Sequence, residues 1–170
     1  MKHDQNITVL LPLRKSYFED YLRWHFNSGH EQLSISLRSP LGKMLYGNIN
    51  VSFKPVPKPE GERIITLRLP TKDANRLPAG FYFYPKYVID QINDLIDFYF
   101  DTDFRQYCLV GLELGMQRKE IYESFLKNRN IVNSTDFYER LKKRDYRRRQ
   151  SLIKLIDENS NDFGFQQLKK

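Results

Sequence analysis

The period of the apolar residues changes at Pro85, and this change constrains the fold more than any other feature of the 170-residue chain. Before it, short runs alternate with a repeat of two; after it, apolar positions recur every three or four residues to the end. Ile7, Val9, Leu11 and Leu13 share one face of a predicted strand, and Pro12 confines that strand to an edge or an end. Ser16 followed by Glu19 has capping-box spacing, and Tyr17, Phe18, Tyr21, Leu22, His25 and Phe26 continue at helical intervals to a stop near Asn27-Ser28-Gly29. Leu33, Ile35 and Leu37 alternate again. Ser39-Pro40 then supplies an N-cap and a first-turn proline for a short helix through Leu41, Met44 and Leu45, closed by Gly47-Asn48.

Ile49 to Phe53 and Ile64 to Leu69 are strand-like and are expected to form a hairpin, joined by the stiff loop Pro55-Val56-Pro57-Lys58-Pro59-Glu60-Gly61. The same Pro-x-Pro-x-Pro pattern also suits a polyproline II ligand. Thr71 to Pro78 is a polar connector, and Phe81-Tyr82-Phe83-Tyr84 is either a last strand or an aromatic lead into a helix whose first turn holds Pro85.

Beyond Lys86, Val88, Ile92, Leu95, Ile96 and Tyr99 form one apolar stripe, with Asp90, Asp94, Asp97 and Asp101 on another side. Those carboxylates are candidates for a divalent cation, but a solvated face, or one that pairs with a basic helix, is the reading favoured, because helix-surface carboxylates diverge. A helix over Arg105 to Leu114 is expected to stop at Gly115, and a second to run from Gln117 to Leu126. A third is expected from about Phe137 to Ile156, after Asn128, Asn130 and Asn133, with Asp136 and Glu139 at capping-box spacing. Phe137, Tyr138 and Leu141 are expected to pack at its start and Leu152, Ile153, Leu155 and Ile156 at its finish. The expected class is therefore α+β: a mixed portion over 1–84, a helical portion over 85–157, and a flexible tail over 158–170.

The chain carries a formal charge of +7, and Arg118 to Lys154, with twelve Lys/Arg against five Asp/Glu, accounts for all of it. Within that span Arg140, Lys142, Lys143, Arg144, Arg147, Arg148 and Arg149 lie in less than three helical turns. Between Lys142 and Gln150 the only large apolar residue is Tyr146. A positive field confined to one element is an electrostatic footprint for phosphate.

Helix, glycine turn, helix, asparagine turn and basic helix, from roughly Phe104 to Ile156, resemble the helix-turn-helix class, particularly the three-helix kind in sigma-factor and homeodomain-like modules. The matching marks are Leu114-Gly115 before Gln117-Arg118-Lys119-Glu120-Ile121, and Ser134 to Arg149 in the recognition position. The connector Lys127 to Ser134 departs from that pattern, being longer than the usual tight turn. The strings Ile7-Thr8-Val9-Leu10-Leu11-Pro12, Ser39-Pro40-Leu41-Gly42 and Lys142 to Arg149 also resemble those of uncharacterised small proteins of phages and mobile elements of gut bacteria, which implies a genetic setting and no residue role.

Duplex DNA is the expected partner, for a regulator or accessory factor of such an element. Asn133, Ser134, Tyr138 and Arg140 are candidates to meet base edges. Lys142, Lys143, Arg144, Arg147, Arg148 and Arg149 are the phosphate candidates, joined by Arg118, Lys119 and Arg129. Six such contacts imply a log-log salt slope near −5, about a thousandfold affinity loss from 50 to 200 mM salt.

Three alternatives stand beside this. In the first the basic run is a solvated face or docks within its own chain; the aromatics at 81–84 suit unpaired RNA bases; and the edge strand with its proline loop suits a protein partner, making the chain an assembly module.

No enzyme is expected. His3, His25 and His30 lack metal-binding spacing, and there is no GxSxG elbow or phosphate-cradling glycine loop. Tyr146 among arginines resembles a recombinase nucleophile but lacks that site's histidine. No metal or cofactor is anticipated. A single cysteine, Cys108, excludes an internal disulfide and suits a reducing compartment; with no secretory or membrane-length apolar run, a cytoplasmic, soluble protein is expected.

Overall fold

The computed structural model describes residues 8–29, 32–61, 63–68, 80–132 and 135–162. The fold is α+β, with strands in the N-terminal half and helices alone after residue 85. Contacts divide it into two compact units: 1–104 with 128–132, and 105–127 with 133–170. The division falls inside a helix, whereas the change of period at Pro85 suggested a boundary twenty residues earlier.

In the first unit, β1 (Thr8–Pro12) pairs antiparallel with β4 (Ile64–Arg68), which also takes β2 (Leu33–Ser34) in parallel. The order β1-β4-β2 makes β1 an edge, as Pro12 required. Val9, Leu11 and Leu13 are buried in alternation, together with Ile65 and Leu67 across the ladder. Ile7 and Leu69 lie outside the described residues.

The hairpin expected between the two strand-like runs does not form. β3 (Asn50–Ser52) pairs instead with β5 (Phe81–Phe83) in a separate two-stranded ribbon. β1 pairs along the whole of β4 and β2 takes its other edge at Leu67 and Arg68, so β4 already has a neighbour on each side. Phe81 to Phe83 thus resolve as a strand. Tyr84 behind them is buried, and its hydroxyl donates to the Leu45 carbonyl at 2.7 Å. The burial holds its pKa well above the usual phenol value.

Helix α1 (Tyr17–His25) buries Tyr17, Phe18, Tyr21 and Leu22. Its expected capping box is absent: Ser16 already has helical dihedrals, and its side chain makes no cap bond. Glu19 turns instead to Arg23 at 2.8 Å and Arg63 at 3.3 Å. At the other end Asn27 takes φ 49°, with Ser28 N–H donating to the Arg23 carbonyl and Asn27 N–H to that of Trp24, a Schellman stop made by asparagine. Helix α2 (Pro40–Gly47) begins as the sequence implied, with Ser39 Oγ accepting from Gly42 N–H at 3.0 Å.

Helix α3 (Lys86–Glu113) is one continuous rod of 28 residues, so the helix expected to begin at Arg105 has no start of its own. Pro85 precedes it, accepting from the amides of Val88 and Ile89. Val88, Ile92, Ile96, Phe100 and Phe104 are buried along it. Asn93, also buried, accepts from Arg14 N–H at 2.8 Å and donates to the carbonyls of Pro12 and Ile89, fixing the strand end to the helix. Asp94 pairs with Arg14 and Asp97 with Lys15, both in the segment after β1.

Residues 128–132 complete the first unit. Arg129 donates to both carboxylate oxygens of Asp103 at 2.8 and 2.9 Å, its guanidinium lies over the Trp24 ring, and Ile131 is buried. Val132 N–H reaches Asp20.

The second unit holds the end of α3, α4 (Arg118–Asn128, to Lys127) and α5 (Thr135–Asp162). Gly115 has φ 75° and makes the predicted stop, with Met116 N–H on the Gly111 carbonyl and its own N–H on that of Leu112. Gly111 faces Ile121 so closely that a Cβ there would stand 2.6 Å from Ile121 Cγ1. Cys108, Ile121, Tyr122, Phe125, Leu126, Phe137 and Leu141 are the unit's buried apolar side chains among the described residues. Tyr107 hydrogen-bonds to Ser124 at 2.6 Å and packs edge-on against Phe125.

Candidate nucleic-acid interface

Helix α5 contains the basic run, and one carboxylate divides it into two populations. Asp145 is 2 % exposed. A charge so placed must be paired. Its Oδ2 accepts from Arg118 at 2.7 Å and from the Tyr122 hydroxyl at 2.7 Å, and Arg149 Nε lies 3.2 Å away. The last contact is electrostatic, because the alignment is too poor for a hydrogen bond and Arg149 Nε has no other acceptor. Burial, then the hydrogen bond and charge of Asp145, push the Tyr122 hydroxyl up to about 12. Arg118 and Arg149 are thus tied to the unit's own interior, which the count of cations alone did not reveal.

The remaining cations of the run lie elsewhere around the helix. Arg140, Lys142, Lys143 and Arg147 are exposed, whereas Arg144 and Arg148 are half-buried. At 100° per residue, Lys143, Arg147 and Arg140 fall within about 60° of one another, roughly opposite the line of Leu141 and Asp145. They climb successive turns over about 10 Å. Lys142 stands apart and has a weak partner in Glu139 at 3.6 Å. Lys119, on α4, is exposed and 3.9 Å from Glu123.

Of the base-side candidates, Asn133 and Ser134 lie outside the described residues. Tyr138 is half-buried, 5.9 Å edge-on from Tyr122, and Arg140 is exposed. Arg129 belongs to the first unit, where Asp103 and Trp24 hold its guanidinium on two sides. Its guanidinium is thus engaged within that unit. Tyr146, in the middle of the run, is exposed, with Arg149 over its ring at 5.8 Å.

The apolar residues at the end of α5 do not pack as expected. Leu152, Ile153, Leu155 and Ile156 are 45, 51, 54 and 63 % exposed. Of the four aromatics considered for stacking on RNA, Phe81 is exposed, Tyr82 and Phe83 are half-buried, and Tyr84 is inside. Among the described residues no helix is long and apolar enough to cross a membrane. No protein-family model matches the chain, and neither a curated protein nor a solved structure does.

Proposed function

We propose that this chain binds double-stranded DNA through the exposed side of α5, with Arg140, Lys143 and Arg147 on the phosphates and Lys142, Arg144 and Lys119 flanking them. The observation that carries this reading is the row of three exposed cations opposite the buried Leu141–Asp145 line. A protein has no folding reason to concentrate like charges on one solvent face, where they repel, and a polyanion relieves that repulsion. The tethering of Arg118 and Arg149 to Asp145 acts in the same sense, fixing the rotation of α5 and hence which cations point outward. The order of helices in the second unit supports a helix-turn-helix-like use of α5, and the sequence resemblance supports a role as regulator or accessory factor of a phage or mobile element.

The test is a salt titration on random duplex DNA. Four exposed cations on α5 give a log-log slope near −3.6, or roughly a hundredfold loss between 50 and 200 mM salt, gentler than the bare count of cations implied. Arg140→Gln, Lys143→Gln and Arg147→Gln together should flatten that slope by about 2.7 while leaving thermal unfolding unchanged. A variant with undiminished affinity removes α5 as the reader. Stronger binding to single-stranded RNA than to duplex DNA reassigns the partner.

A further inference from the structure

We infer that the exposed end of α5 is a self-association surface, on which two copies of this chain pair their helices antiparallel around Leu152, Ile153, Leu155 and Ile156. From Gln150 to Ile156 every residue is exposed, although the helix runs on to Asp162. The segment beyond Arg149 is only about 20 Å long. A helix that short is marginal in water unless packing holds it. Its four large apolar residues span an arc of about 160°, wider than an unaccompanied surface helix carries.

The order of charges along α5 identifies the occupant. Arg147, Arg148 and Arg149 precede the apolar segment, and Asp157, Glu158 and Asp162 follow it. A helix basic at one end, apolar in the middle and acidic at the other complements itself when reversed: a two-fold axis near Lys154 sets the acidic end of each copy toward the basic end of the other. Parallel pairing would lay like charge on like. An anionic lipid surface would meet Asp157 and Glu158 immediately after the apolar residues, and DNA offers nothing for four aliphatic side chains.

The surface is separate from the proposed phosphate row. Leu152 and Ile156 continue the line of Leu141 and Asp145, roughly opposite Lys143 and Arg147 at 100° per residue. Pairing therefore leaves the cationic row uncovered, and self-association neither needs nor tests DNA binding.

Sedimentation equilibrium of the full chain, cleared of nucleic acid by nuclease and high salt, is the experiment. The wild type is expected to be a dimer. Leu152→Glu with Leu155→Glu should raise the dissociation constant roughly a hundredfold, with the melting of the packed part of the monomer preserved because both positions are exposed. Orientation is read separately: Arg148→Glu should weaken the dimer, and adding Asp162→Arg should restore it. A wild-type chain that stays monomeric overturns the inference, including one that instead adheres to phosphatidylserine vesicles. So does a dimer indifferent to the double leucine change, and an Arg148→Glu dimer that tightens overturns the antiparallel arrangement.

Discussion

The guanidinium carbon of Arg129 lies 3.8 Å from the centre of the Trp24 ring, while the edge of the same group grips Asp103 with two hydrogen bonds. Only a planar cation can do both, since a lysine ammonium has no second face to stack and no fork to match a carboxylate. The extended connector after α4, which departs from the usual helix-turn-helix length, thus has a structural use: it carries Arg129 and Ile131 into the first unit.

Arg129→Lys is expected to destabilise the first unit by about 1–3 kcal/mol, through loss of the stack and the second hydrogen bond. Urea unfolding followed by Trp24 fluorescence measures it. DNA affinity should not follow, because this residue lies outside the cationic row.

Asp145→Asn should cost about 2–3 kcal/mol, less than the rupture of a fully buried pair because Arg118 and Arg149 keep partial access to solvent. It should also release two guanidinium groups and steepen the salt dependence of nonspecific DNA binding. Chemical denaturation together with the salt titration separates the two effects; lost stability with an unchanged slope would show that the arginines remain turned inward.

His25 gives a pH dependence of known sign. Its ring packs edge-on against Phe26 at 4.9 Å, with Tyr21 and Tyr99 at slightly over 6 Å, and Nε2 is buried without a partner. Burial lowers its pKa below 6.5, outweighing the opposite pull of Asp103. The unfolded chain therefore takes up this proton first, so the stability contributed by neutral His25 is complete above pH 6.5 and declines as pH falls through and below that value. His25→Phe should flatten the part of the stability profile just below pH 6.5 in urea titrations across that range.

Gly42 packs against the backbone of the turn before α2, and a Cβ there would fall 1.9 Å from the Ser36 carbonyl oxygen. Backbone cannot move aside as a side-chain tip can. Gly42→Ala is expected to lower the melting temperature despite alanine's better helix propensity, by an amount exceeding the 1 kcal/mol or so that propensity offers.

Elements whose signals are local were legible in the sequence. The alternation of Val9, Leu11 and Leu13, the Ser39-Pro40 start and the Gly115 stop each depend on a few neighbouring residues, and each stands where it was expected. Partner choice was not legible. β4 has β1 and β2 as its neighbours and β3 has β5, pairings between residues far apart in the chain that no local pattern announces. The continuity of α3 through Arg105 was hidden because nothing but packing distinguishes one long helix from two. For the candidate interface, the run of cations was plain, but its division was not. Asp145 looked like a lone interruption among arginines, and only its position on the Leu141 side of α5 shows it to be the buried acceptor for Arg118 and Tyr122. Tyr122 alone hinted at this, being a phenol among the apolar positions of α4.

The return of residues 128–132 to the first unit makes the two units interleaved in sequence. A fragment cut after Phe104 would lack the side chains that cover Trp24 and neutralise Asp103, and one begun at Arg105 would carry Arg129 and Ile131 with nowhere to dock. Neither half is a simple terminal cassette, because the chain passes between the units three times, after Phe104, Lys127 and Val132.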